Sequence, residues 1–146
     1  MNASAIKHHV GINAPAHAVY QALSDLAKLA GWWTSDTRGV SAVGRELEFC
    51  FGSFCQKLQV TTLAPDRRVS WRALEGGMSE WTGTGVSFDL AAADGRTAAC
   101  FTHAGWAETA KFFAHCSTKW AVFMLSLKDL VEQGTGRPAP HDVQIS

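Results

Sequence analysis

The last third of the chain constrains its fold most. From about Glu108 to Gln133 no glycine or proline interrupts it. Apolar residues running from Phe112 and Phe113 through Cys116, Trp120, Phe123, Met124 and Leu127 to Val131 recur at helical spacing. Lys111, Lys119, Lys128, Asp129 and Glu132 take the opposite side. Gly134 stands where a helix terminator belongs. The pattern predicts one amphipathic helix of roughly 40 Å at about 1.5 Å per residue, enough to cross a small domain.

Before that helix the period is two. Leu47, Phe49 and Phe51 alternate with Glu46, Glu48 and Cys50. Past a Gly52-Ser53 turn, Leu58, Val60 and Thr62 share one face. Val69, Trp71 and Ala73 share a face in the next run, then Thr84, Val86, Phe88 and Leu90 in a run from Trp81 to Leu90. Thr97, Ala99, Phe101 and His103 follow, so one sheet face is covered and the other wet. Ile6 to Asn13 reads as a first strand. Asn13 is a candidate helix cap, and Pro15 suits a first helical turn. A short helix carrying Val19 and Leu23 breaks near Asp25, and a second ends at Gly31 before Trp32-Trp33. Ser35 to Gly44 reads as a loop.

Strand, short helices, antiparallel strands and one long helix make an α+β pattern. The 146 residues suit one domain, placed at 1–135, with 136–146 as a flexible tail. Hydrophobic residues are 47% of the chain, which excludes intrinsic disorder. Thirteen basic residues balance thirteen acidic ones, so there is no basic excess for nucleic acid. No apolar run approaches the roughly 18 residues of a membrane span. Residues 1–10 lack the apolar core of an export signal, so a cytoplasmic location and reduced thiols are expected.

Several short motifs keep a recognisable order: Ile12-Asn13-Ala14-Pro15, Gly31-Trp32-Trp33, Val69-Ser70-Trp71-Arg72, Gly95-Arg96-Thr97 leading to Phe101-Thr102-His103, and Lys119-Trp120 leading to Leu127-Lys128. In that order the chain resembles the START-related (SRPBCC) superfamily, and within it the bacterial single-domain proteins similar to the heat-shock ATPase activator. The resemblance implies a helix-grip fold, in which a curved antiparallel sheet holds the C-terminal helix around an internal cavity. It implies little about chemistry, since the superfamily includes carriers, cyclases, hydrolases and co-chaperones.

His103 is the first candidate for chemistry, as an acid, base or hydrogen-bond anchor on the covered face. Its bland reading is a strand-end histidine bonded to a carbonyl. Trp33, Trp71, Phe88, Phe101, Trp120, Phe123 and Met124 are candidate ligand contacts, each also an ordinary core residue. Two adjacent tryptophans are not both expected in the core, so one of Trp32 and Trp33 is read as plugging the sheet and the other as free to stack on a ligand. His115, one residue off the apolar stripe, borders either the pocket or solvent, with a partly exposed histidine without a role as the default, and Arg72 is a solvated sheet-face residue. His8 and His9 point to opposite strand faces, and Cys100 and Cys116 lack partners at ligand spacing, so no metal is expected. Cys50 and Cys55 face each other across the turn with Cα atoms roughly 4.5 Å apart, and are expected as thiols. No catalytic serine elbow, zinc-protease motif or nucleotide-binding glycine loop is present.

The leading expectation is a protein without cofactor that binds a small hydrophobic or aromatic molecule between sheet and helix. A cyclase- or hydrolase-like enzyme using His103, and a co-chaperone-like protein-binding module, are the alternatives.

Overall fold

The computed structural model describes residues 4–146. Strands β1 (Ser4–Ile12), β2 (Asp36–Gly39), β3 (Glu46–Phe51), β4 (Phe54–Ala64), β5 (Arg68–Ala73), β6 (Gly85–Ala93) and β7 (Arg96–Trp106) form one antiparallel sheet. Their order is β1-β7-β6-β5-β4-β3-β2. Helices α1 (Ala16–Ser24) and α2 (Leu26–Trp32) follow β1, and α3 (Phe113–Gln133) closes the fold. This is the α+β architecture expected from the pattern, in the helix-grip form that the resemblance implies. Among the described residues no helix is long and apolar enough to cross a membrane.

Alternation places the core correctly along β5, β6 and β7. Val69, Trp71 and Ala73, then Val86 and Phe88, then Ala99, Phe101 and His103 are all buried, while Arg72 is exposed. In β4 the face changes. A bulge shifts the register between Val60 and Thr62, so Leu63 pairs with Val69 and packs against the core where Thr62 was expected. The segment read as a loop before Gly44 contains the edge strand β2. The strand expected from Trp81 starts only at Gly85, because Ser79–Trp81 is a 3-10 turn.

The helices also differ in detail. α1 is preceded by Pro15 rather than capped by Asn13, whose backbone N–H instead donates to Glu132 at 2.7 Å. Asp25 breaks the two short helices and caps α2 by accepting from the Lys28 N–H at 3.1 Å. α2 runs through Gly31, where a Cβ would meet Leu130 at 3.3 Å, so glycine is there for close approach to α3. α3 starts five residues later than the periodicity suggests. The Glu80 carboxylate accepts the N–H groups of Lys111 (2.9 Å) and Phe112 (2.8 Å), holding that stretch as a turn. At 21 residues α3 is therefore about 31 Å long. Gly134 ends it at φ 84° as anticipated.

Residues 136–146 run back over the molecule. Ala139 forms an isolated bridge with Thr34, donating to Trp33 O at 2.8 Å and accepting from Ser35 N at 3.0 Å. Buried Ser126 ties three pieces together: its hydroxyl donates to Trp32 O at 2.8 Å and accepts from Arg137 N at 2.7 Å. Ser126→Ala leaves that carbonyl and that N–H without their partner, and should cost about 1–3 kcal/mol in a urea unfolding titration. An unchanged midpoint would show that the junction is not a stabilising contact.

Candidate functional site

Between the tip of the β3–β4 hairpin, the 3-10 turn and the first turns of α3 lies an apolar cavity of about 320 Å³. Trp33 comes from the end of α2, Phe51 and Phe54 from the hairpin, Met78 and Trp81 from the 3-10 turn, and Trp120 and Phe123 from α3. Phe54 and Phe112 are 39% and 48% exposed, which places them at its mouth. The rings lie close together: Trp33 is 4.9 Å from Trp120 and 6.4 Å from Trp81 between centroids. A more polar groove adjoins the cavity, sharing Phe51, His115, Lys119 and Asp142 with it.

The polar groups around the cavity are mostly spoken for. Gln56 donates to Lys57 O and Leu74 O and accepts from Met78 N, fixing the turn that carries Met78. Lys119 forms an ion pair with nearly buried Asp142 and lies 5.5 Å from the centre of the Phe123 ring. The Cys116 thiol is pushed up by burial, with only a partial offset from the neighbouring Trp81 N–H. Trp81 Nε1 is the least satisfied of them: it is buried with only the weakly accepting Cys116 sulfur beside it and makes no hydrogen bond of normal geometry.

His103 sits behind this wall, fully buried, 4.6 Å from the Trp81 ring centroid. Trp120 Nε1 can only donate, and it donates to His103 Nδ1 at 3.1 Å. The proton of the neutral ring is therefore on Nε2, which donates to Thr84 Oγ1 at 2.7 Å. Thr84 in turn donates to Trp81 O at 2.6 Å. Burial pushes the His103 pKa down to about 3, so the ring stays neutral across the physiological range.

The structure thus divides the residues singled out from sequence. Trp33, Trp120 and Phe123 reach the cavity, as does His115 at its rim. Trp71, Phe88, Phe101, His103 and Met124 are buried in the core and are not part of its lining. Trp32 and Trp33 are both buried, contrary to expectation. Trp32 anchors its indole on Ala22 O at 2.8 Å while Trp33 turns to the cavity, with their rings 6.0 Å apart. Phe112 and Cys116, from the apolar stripe read as core first and pocket lining second, also line it, whereas Phe51, Phe54, Gln56, Met78, Trp81, Lys119 and Asp142 complete the wall without having been singled out from sequence. Gln56 carried a usable signal: it is a polar residue at inward parity, paired with Phe49. Cys50 and Cys55 pair as the turn predicts, with Cα atoms 3.9 Å apart, but as a disulfide rather than as thiols. The direct cross-strand register supplies the proximity that bond needs.

A family model described as activator of Hsp90 ATPase homolog 1-like protein matches residues 13–132. The chain belongs to this family. Among solved structures in the same fold, the Aha1 dimer from Colwellia psychrerythraea is 42% identical with a TM-score of 0.84, covering 91% of this chain and 99% of that one. Protein MLL2253 from Mesorhizobium loti has a TM-score of 0.78 at 16% identity, covering 88% and 96%. CalU16 from Micromonospora echinospora has a TM-score of 0.74 at 16% identity, covering 88% and 74%. The last two show likeness of fold alone. Among curated proteins, none matches the chain.

The buried state of His103 has a measurable consequence. Its folded pKa lies below its unfolded value, so unfolding takes up a proton between about pH 3 and 6.5. Stability is complete above that window and falls as pH drops through it, by at most ~1.4 kcal/mol per pH unit. Between about pH 7 and pH 5 the native protein should lose ~2 kcal/mol more than His103→Gln in denaturant titrations. Equal losses would mean that His103 titrates normally in the folded state.

Proposed function

We propose that this family member binds a small aromatic or largely apolar molecule in the cavity between the β3–β4 hairpin and α3. The ligand carries one hydrogen-bond acceptor, such as a carbonyl or phenolic oxygen, directed at Trp81 Nε1. The observation that carries this reading is the combination of an apolar cavity of about 320 Å³ with one buried N–H on its wall that has no neighbour better than the weakly accepting Cys116 sulfur. The size falls in the range of small-molecule pockets, roughly 300–1,000 Å³, and one or two placed polar groups are what usually orient a ligand in such a site. A buried donor so weakly paired costs free energy that an acceptor on the ligand would recover.

The cyclase- or hydrolase-type alternative assigned the chemistry to His103. In that position the ring is neutral, uses both nitrogens and lies behind Trp81 and Trp120, so it is a weak basis for acid–base work on a bound carbonyl. A protein-binding role rests on the family name rather than on a feature of the cavity.

The test is a titration of isotope-labelled protein with a panel of small aromatic molecules, with and without a carbonyl, read at the tryptophan indole N–H signals. Carbonyl-bearing members should shift the Trp81 signal most and leave that of Trp32 in place. Trp81→Phe should weaken their binding about tenfold, the scale of one hydrogen bond, and leave unsubstituted rings unaffected. Absence of any shift from the panel would contradict the proposal and direct attention to protein partners.

A further inference from the structure

The outer face of the hairpin presents a different chemistry, with Cys50 buried in it and Glu48 and Cys55 half-buried. Cross-strand pairing sets Cys50 opposite Cys55 on β4 and opposite Asp36 on β2. Glu48 lies two residues before Cys50 and therefore on the same face. One ligand atom from each of Glu48, Cys50 and Cys55 lies within 4.8 Å of the other two. We propose that, once the disulfide is reduced, these three side chains bind one thiophilic divalent cation of the zinc class. This site is independent of the cavity and does not rest on the ligand reading.

The geometry suits such an ion. Tetrahedral zinc, with sulfur at about 2.3 Å and carboxylate oxygen at about 2.1 Å, needs its ligand atoms roughly 3.5–3.8 Å apart. The β3–β4 register already brings the three residues together, and their ligand atoms lie within 4.8 Å of one another before any side chain turns toward an ion. Two thiolates and a carboxylate on a divalent cation leave a net charge of minus one, and water takes the fourth position. Lys57, paired with Glu48 across the hairpin, offsets that charge, whereas Arg38 on the other side of Glu48 is already committed. Arg38 is itself held by the Asp36 carboxylate at 2.8 and 2.9 Å, which leaves Glu48 available to the ion.

Disulfide and cation exclude one another. A dithiol reductant delivers two electrons and two protons to the Cys50–Cys55 bond, becoming a disulfide itself and leaving two thiols. The cation then forms two metal–sulfur bonds, and both thiol protons pass to solvent. Metal occupancy of the hairpin would thus report the redox state of the cysteine pair.

The experiment is a zinc titration of protein reduced with a phosphine, against a chromophoric chelator, with alkylation mapping of the cysteines. One zinc per chain is expected, protecting Cys50 and Cys55 while exposed Cys100 stays reactive. Binding should vanish in Cys50→Ser and in the oxidised protein. Glu48→Gln, which leaves both thiols in place, should weaken it about tenfold or more, the scale seen when even an outer-shell partner is lost. Absence of stoichiometric zinc on the folded, reduced protein would overturn the proposal. So would undiminished binding in folded Cys50→Ser, or an affinity unaffected by Glu48→Gln.

Discussion

The attachment of the long helix to the sheet depends on how one indole N–H is satisfied. Trp120 projects from α3 into the sheet, and its ring lies 4.4 Å from Phe101 and 4.9 Å from Trp33. Burying a ring that large gains apolar contact but strands a donor, unless an acceptor lies at the right depth. His103 provides it, and the relay through Thr84 to the Trp81 carbonyl satisfies every member in turn. The helix is thereby attached to β7, to the start of β6 and to the 3-10 turn. With Trp120 fixed, the space left in front of it becomes the cavity, and Trp81 closes the far side.

That arrangement gives the polar residues distinct work. His103, the residue with the most chemical promise in the sequence, acts as an acceptor inside the core. The open position belongs to Trp81, an apolar residue by any composition count but the one that presents a weakly paired donor to the cavity. Lys119 and Asp142 neutralise each other at the rim, so the cavity mouth carries no net charge from that pair. A neutral, mostly apolar occupant matches such a lining better than a strongly charged one.

The fold was legible because alternation is a short-range signal and the sheet obeys it. Trp71, Phe88, Phe101 and His103 all lie on the inner face as alternation predicts, and the pattern breaks at the bulge after Val60 and at Cys50 and Ser70, which are buried from the opposite parity. The cavity was much less legible. Parity says which side a residue faces, not whether the space opposite is filled, and that is decided by where α3 begins. Its start at Phe113 is set by the Glu80 carboxylate, a contact across 31 residues. Phe54, Met78 and Asp142 reach the site from a hairpin tip, a turn and the chain's end, none of which has periodicity to read. Cys50 and Cys55 illustrate the same divide: the hairpin register was readable, whereas the bond between them was not.

The interior relay requires His103 to be neutral, protonated on Nε2 and closed off from the cavity. Nitrogen chemical shifts of its imidazole, followed from about pH 7 down to pH 5 in folded protein, test this directly. The structure predicts a protonated Nε2 and an unprotonated, hydrogen-bonded Nδ1 throughout. A ring that titrates near 6.5, or that carries its proton on Nδ1, would contradict the relay and return His103 to the site as a candidate acid or base.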